Sequence, residues 1–311
     1  MTRGEIDHIR AEIGLLRRQL AAIPEKARMT RRSTEARLRS LEALLQETVS
    51  DRIPARVRLT FRGRPVVGTH GIFAAFGAGA IERFSKAVAL LAAGQGAQIG
   101  ARGPIPYRES NELLVVGPAL GSFGFELEEY QTPGPHPELE LDLPTPVAVA
   151  LGQAQALLAG AAGTDDELAE AASGVDPRAR GAVQEFLSHI AGQGAVCAVE
   201  ASGRSVIFAD VAQVARAATR LAEDSVQQAE QELTGSFQGV LPTRRTFEFK
   251  ERGSEEVIVG KVGPAVLDPN QLNNHLREET TIKVTTTRVG AGKPRYALNE
   301  MPVFASQEQV L

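Results

Sequence analysis

Apolar positions in the first fifty residues recur with the spacing of amphipathic helices. Over residues 4–23 they return every three or four positions, the period of one helix face, at Ile6, Ile9, Ile13, Leu16, Leu20 and Ile23. A second predicted helix, at about 32–49, repeats the pattern at Leu38, Leu41, Leu45 and Val49. The short connection around Pro24 predicts a helical hairpin over 1–52 with a coiled-coil-like seam. This seam can cap the rest of the protein or pair with a second copy, and both alternatives stay open here.

The pattern changes to alternation after Pro54. Residues 55–62 place Val57, Leu59 and Phe61 on one side and polar residues on the other, which predicts a half-buried strand. A helix at 73–93 and strands at 112–116 and 122–130 follow, and then a Pro-rich connector at 132–144. Three further helices have well-marked starts, at Thr145-Pro146, at Thr164 with Glu167, and at Asp176-Pro177.

The last third of the chain is predicted to be mostly β-structure. A hairpin is expected at 195–209, followed by a long helix over 211–233 that Asp210 caps. Five short strands are then expected at 235–241, 244–251, 256–262, 280–289 and 294–300. They predict a small barrel of the SH3 or OB type. The predicted fold is therefore α+β, with the hairpin at 1–52, a central mixed-sheet domain at 53–233 and the barrel at 234–305.

Composition removes several classes of function. The formal net charge of −4 over 311 residues gives no global attraction to nucleic acid. The single cysteine, Cys197, excludes a disulfide within the chain and a cysteine-based zinc site, and its apolar setting AVCAV favours burial over nucleophilic chemistry. With no apolar leader and no run of about 20 apolar residues, we expect a cytoplasmic protein that does not enter a membrane.

Motifs that carry chemistry are incomplete. The segments FGAGAIERF and GQGAQIGARG lack the glycine spacing of a dinucleotide site, and VGAGKPRY lacks the first glycine and the Ser/Thr of a phosphate loop. We therefore predict no cofactor, no metal ligand and no catalytic residue. The weaker alternatives are a metal-dependent nuclease site with Glu248 and Lys250, acids at Glu126, Glu128 and Glu129, and a general base at His70 in the turn GTHGI.

An arginine stripe is the strongest polar feature of the sequence. It consists of Arg56, Arg58, Arg62 and Arg64, which lie on one side of a single strand and its extension. Alternate residues of a strand are about 7 Å apart, so these like charges need compensation. Glu126 and Glu128 on a neighbouring strand can supply it as a cross-strand ladder. Phosphates of nucleic acid or an acidic partner are the alternative.

The stretch 58–129 contains RLTFRGRPVVGTHGI and GSFGFELEE. It resembles a family of bacterial proteins that have a helical hairpin before this block and a small β module after it. The resemblance implies a bacterial protein and attaches no reaction or cofactor to it. A role in defence against phage is a hypothesis.

These observations predict a non-catalytic binding or scaffolding component of a bacterial cytoplasmic assembly. A protein partner, or self-association through the hairpin, is expected, with the barrel as the binding module. The first alternative is a nucleic-acid-binding protein that uses the stripe and the barrel, and the second is a metal-dependent hydrolase. The candidate binding residues are Arg56, Arg58, Arg62, Arg64, His70, Arg244, Arg245 and Lys250.

Overall fold

A computed structural model of the protein describes residues 3–24, 26–48, 54–96, 99–119, 123–130, 144–222, 224–254 and 256–304. Val49 of the second predicted helix and nearly all of the predicted connector 132–144 lie outside these residues. The α+β class and the C-terminal barrel are confirmed.

The chain begins with the predicted helical hairpin, formed by α1 (Arg3–Ala22) and α2 (Arg28–Thr48). The seam of α1 is buried at Ile6, Ile9, Ile13 and Leu16. Two ion pairs join the helices, Arg37 with Glu12 at 2.6 Å and Arg17 with Glu42 at 2.7 Å. Among the described elements, these two helices pack mainly against each other.

The central domain is one antiparallel sheet with helices on one face. Its strands are β1 (Arg56–Gly63), β4 (Leu113–Pro118), β5 (Phe123–Glu129), β6 (Ala195–Ala201) and β7 (Arg204–Ile207), in the order β4-β5-β1-β6-β7. A separate two-stranded ribbon is formed by β2 (Val66–Val67) and β3 (Gly71–Ile72). The helices are α3 (Ala74–Ala93), α4 (Pro146–Ala162), α5 (Asp165–Ala172), α6 (Pro177–Gly192) and α7 (Val211–Leu221), with a 3₁₀ turn at Arg108–Asn111.

The alternation in β1 decides which face of the sheet carries the core. Val57, Leu59 and Phe61 are fully buried in the hydrophobic core shared with the helices, and the arginines point to the other face. The neighbouring strand β5 approaches β1 closely at Gly124, where a Cβ atom would lie 1.9 Å from the Leu59 carbonyl oxygen. Only glycine allows this pairing, which sets the register that places the acids of β5 beside the arginines of β1.

The three predicted helix starts are confirmed by their capping hydrogen bonds. Thr145 Oγ1 accepts from the Ala148 backbone N–H, and Asp176 Oδ1 accepts from that of Arg178. Thr164 and Glu167 form a reciprocal capping box at the start of α5. Each cap satisfies a backbone donor that a helix leaves unpaired at its first turn.

The C-terminal barrel is closed by five strands, β8 (Val226–Leu241), β9 (Thr246–Glu251), β10 (Val257–Val262), β11 (Glu279–Val289) and β12 (Arg295–Leu298). The long strand β8 pairs with β9 and with β11, and β10 runs parallel to β12. A 3₁₀ helix, Pro269–His275, lies between β10 and β11. This connectivity is that of the OB type and decides between the two predicted barrel types.

The predicted helix over 211–233 is wrong beyond Leu221, where α7 ends. The apolar stripe of α7 ends there, and the polar stretch that follows becomes the first half of β8. Residues 226–233 pair with 282–289 of β11, a strand rich in β-branched residues. Pairing with a distant strand has overridden the local helical preference of the glutamines and glutamates.

Hydrogen bonds and ion pairs join the barrel to the helices of the central domain. Gln228 of β8 accepts from Arg180 Nη1 at 3.1 Å, and the Lys293 backbone N–H donates to Asp166 at 2.7 Å. Glu170 of α5 pairs with Lys261 and Arg295 of the barrel at 3.1 and 3.3 Å. None of the described helices combines the length and apolar character needed to cross a bilayer.

Candidate functional site

The arginines at the start of the stripe are paired within the sheet. Arg56 lies 3.3 Å from Glu126 and 3.2 Å from Glu128, and Arg58 lies 3.1 Å from Glu126. On the opposite side, Arg58 reaches Glu200 of β6 at 3.5 Å. The cross-strand ladder foreseen from the sequence therefore exists, and it leaves Arg56 and Arg58 with internal counter-charges.

The last two arginines of the stripe lack the internal counter-charges of the first two among the described residues. Arg62 and Arg64 are exposed, and neither forms an ion pair within the part of the chain that the structure describes. His70 is also exposed, in the turn between β2 and β3, where its backbone N–H donates to the Val67 carbonyl. The structure does not bring His70 together with the acids of β5.

The acids of β5 are occupied by structural contacts. Glu128 is fully buried beside Arg56. Glu129 accepts hydrogen bonds from the Ala55 backbone N–H at 3.1 Å and from the Thr145 hydroxyl at 3.0 Å. No group of three His, Cys, Asp or Glu side chains that could hold a metal ion occurs among the described residues.

The predicted nuclease pair lies on the outside of the barrel. Glu248 and Lys250 point outward from β9, and the residues directly opposite them on β10 are Val259 and Val257. A second carboxylate is therefore missing from the position where a cross-strand neighbour could share a metal with Glu248. Lys250 stays a predicted binding residue, and the metal-dependent alternative with Glu248 stays a prediction.

Arg244 and Arg245 differ although they are neighbours. Arg244 is exposed, and no ion pair forms between it and another described residue. The Arg245 guanidinium instead donates to the carbonyl oxygens of Val262 at 3.2 Å, Val266 at 2.7 Å and Gly263. Its backbone is left-handed, with φ of 50°, a conformation that such contacts must hold in a residue with a side chain.

The outward side of β9 and β10 forms a continuous surface, which we call the β9–β10 face. It consists of Thr246, Glu248, Lys250, Val257, Val259 and Lys261. Val257 is 42 % exposed and Val259 is 61 % exposed. The phenylalanines of the barrel, Phe237, Phe247 and Phe249, are all buried inside it.

The outward positions of Val257 and Val259 were not predicted from the sequence. The segment Val257–Val262 has valines in both alternating phases, and within it only Lys261, in the phase of Val257 and Val259, indicates which of them face outward. The charged pair Glu248 and Lys250 could have supplied the signal, because it fixes the outer phase of β9 and therefore of the strand opposite.

Cys197 lies in the core of the central domain, on β6, and is 2 % exposed. Burial raises the pKa of its thiol from 9.0 to about 12. The thiolate is the nucleophilic form of cysteine, so this residue is inert at neutral pH.

Searches against protein-family models, curated proteins and solved structures find no significant match to the chain. The resemblance of the 58–129 block to a bacterial family therefore stays a prediction.

Proposed function

We propose that this chain is a non-catalytic binding protein of a bacterial cytoplasmic assembly, and that the β9–β10 face is its contact surface for a protein partner. The observation that carries the proposal is the exposure of Val257 and Val259 on a strand of a closed barrel. Two aliphatic side chains flanked by Glu248 and Lys250 form a small apolar centre with a charged rim, as protein interfaces do.

The chemistry of the barrel favours protein over nucleic acid. Residues 226–304 contain ten basic and ten acidic side chains, so the barrel has no excess of positive charge. Proteins that bind single strands also stack bases on aromatic side chains, and the β9–β10 face carries none. An OB-type barrel alone does not fix the ligand.

The hairpin is the second part of the proposal, as an assembly device. Its helices pack mainly against each other, and Leu15 and Met29 are 48 % and 83 % exposed on its surface. A helical pair of this kind can add a second copy of the chain or a helical partner along its side. A role in defence against phage stays a hypothesis without a structural argument of its own.

The test is purification of the tagged full chain from its own host, with nuclease added, followed by identification of stoichiometric partners. Val259→Lys places a charge at the centre of the face on an exposed position, so the fold is retained. Val303→Lys is the matched control, because Val303 is 74 % exposed and lies outside the face. We expect a partner with the wild type and the control that is lost with Val259→Lys. If all three proteins retain the partner, the β9–β10 face is not the contact surface. If no stoichiometric partner is recovered with the wild type, the proposed binding function is wrong.

Nucleic acid binding is the competing function, favoured only by the exposed Arg62, Arg64 and Arg244 that lack ion pairs among the described residues. Gel-shift measurements at two salt concentrations decide it, because phosphate contacts weaken steeply with salt. A shift at low salt that is lost in an Arg62→Gln/Arg64→Gln variant would favour this alternative. The metal-dependent hydrolase stays a prediction without a site among the described residues.

A further inference from the structure

A cleft lies between the helices of the central domain and the barrel. Its volume is about 1050 Å³. This is slightly above the range of about 300–1,000 Å³ that is usual for small-molecule sites in proteins. Its walls come from α4, from α5 and the turn after it, from β7, from the turn before β9, and from β10 and β12. Ligand sites commonly form at such domain junctions.

The wall provided by α4 is made of small residues. Gly152, Ala156 and Ala159 line the cleft, and all three are exposed to it. A Cβ atom added at Gly152 would meet nothing within 4 Å, so the space beside this residue is empty. A ligand can therefore lie directly against the backbone of the helix.

Three acids line the cleft, and each accepts contacts from the protein. Asp166 accepts the Lys293 backbone N–H at 2.7 Å, and Glu167 accepts both the backbone N–H and the hydroxyl of Thr164. Glu170 is shared by two cations, Lys261 and Arg295. All three carboxylates are exposed, and the neutral donors on Asp166 and Glu167 leave their charge in place. The four cations that line the cleft, Arg204, Arg245, Lys261 and Arg295, nevertheless outnumber these three acids.

Two arginines of the cleft keep an uncompensated charge. Arg204 is exposed and forms no ion pair with any described residue. Arg245 is held only by neutral carbonyl oxygens, which fix its guanidinium without neutralising it. Ser173 also lines the cleft and is 4 % exposed, and its hydroxyl has no hydrogen-bond partner among the described residues. A buried hydroxyl without a partner is costly unless a ligand satisfies it.

From these contacts we infer that the cleft is a binding site for a small organic phosphate. Guanidinium groups recognise phosphate oxygens by charge-assisted, often bidentate hydrogen bonds. Arg204 and Arg245 supply the positive charge, Ser173 supplies a neutral donor, and the glycine and alanine wall of α4 takes the organic part. The site shares Lys261 with the edge of the β9–β10 face but contains neither Val257 nor Val259, and it does not require a protein partner.

The experiment titrates the full chain with two probes, inorganic pyrophosphate and ATP. Binding is measured by calorimetry and ³¹P NMR, because the chain has no tryptophan whose fluorescence could report it. We expect at least one probe to bind with a dissociation constant below about 1 mM, and sulfate at equal ionic strength to bind more weakly. Arg204→Gln should weaken binding on the order of tenfold, as the loss of a hydrogen bond to a charged group does. If pyrophosphate binds, the phosphate groups are sufficient for recognition. If ATP binds and pyrophosphate does not, the site recognises a nucleotide.

Gly152→Leu is the second variant, because it fills the empty space and replaces glycine inside a helix by a better helix former. Gly181→Leu is the matched control, since Gly181 is also inside a helix, on α6, and has nothing within 4 Å of an added Cβ. We expect Gly152→Leu to abolish binding and Gly181→Leu to leave it unchanged. Failure of both probes to bind at millimolar concentration overturns the inference, and so does binding that neither Arg204→Gln nor Gly152→Leu weakens.

Discussion

Arg58 and Glu126 face each other across β1 and β5, in direct register, with Nη2 and Oε1 3.1 Å apart. Glu126 also lies 3.3 Å from Arg56, so one carboxylate serves two guanidinium groups that would otherwise repel each other. Glu200, on the other side of Arg58, is 50 % exposed and lies 3.5 Å from that one arginine. The two acids therefore contribute unequally to the stability of the sheet.

We expect Glu126→Gln to lower the free energy of unfolding by about 1 kcal/mol, because it leaves two half-exposed arginines side by side with one counter-charge fewer. Glu200→Gln, the matched change at an exposed pair, should cost less than about 0.5 kcal/mol. Urea unfolding of the two variants and the wild type measures both values. Equal losses would show that the ladder does not compensate the stripe.

The buried thiol of Cys197 gives a second prediction. Its pKa of about 12 keeps it protonated, and 2 % exposure keeps reagents away. A thiol reagent at pH 8 should therefore modify the unfolded chain in urea quickly and the native chain only at the rate of unfolding. Fast, complete modification of the native protein would contradict the burial of β6.

The same thiol predicts a dependence of stability on alkaline pH. The folded pKa is raised, so the unfolded chain loses its proton near pH 9 while the folded chain keeps it until about 12. Stability from this group is fully present below pH 9 and falls as pH rises from 9 towards 12, by at most about 1.4 kcal/mol per pH unit. Urea midpoints at pH 7 and 10 should fall less in Cys197→Ala than in the wild type. Equal falls would contradict the raised pKa.

The capping box of α5 predicts an acid-dependent contribution. Hydrogen bonds from the backbone and hydroxyl of Thr164 lower the pKa of Glu167 below 4.5. A lowered folded pKa gives stability that is present above pH 4.5 and lost as pH falls through the folded value. Thr164→Ala should cost about 1 kcal/mol at pH 7 through loss of the cap. Unfolding at pH 3 and 7 should show a smaller loss on acidification in Glu167→Gln than in the wild type, and an equal loss would contradict the cap.

The hairpin predicts self-association through an exposed apolar position. Leu15→Glu changes a 48 % exposed residue outside the buried seam, so α1 should still form. We expect light scattering after size exclusion to show an oligomer for the wild type and a smaller species for this variant. Val303→Glu is a matched control at an exposed position far along the chain. A wild-type protein that is monomeric at all concentrations tested would contradict self-association through the hairpin.

Local patterns were sufficient for much of the fold. The alternation around Leu59 predicted its strand and buried face, and the caps at Thr145 and Asp176 predicted where helices begin. Long-range pairing was not readable in the same way. Residues 226–233 look helical by themselves and become a strand only because β11, fifty residues later, pairs with them.

The candidate site was predictable from the sequence only in part. Glu126 and Glu128 alternate on one face of a predicted strand, which was enough to propose them as partners of the arginines. Glu200 was missed because the sequence does not show that β6, 142 residues beyond Arg58, pairs with the other side of β1. The outward orientation of Val259 was also missed, since β10 has valines in both phases and Lys261 alone marks the outer one. Charge pairs between neighbouring strands can be anticipated from alternation, but the set of residues that share one face of two paired strands depends on their register.

Amine cross-linking of the purified complex, read by mass spectrometry, tests the proposed function most directly. Lys250 lies on the β9–β10 face opposite Val257, whereas Lys86 on α3 and Lys283 on β11 lie elsewhere. The account predicts cross-links from Lys250 to a protein partner, and their loss in Val259→Lys. Cross-links to the partner from Lys86 or Lys283 alone would contradict it.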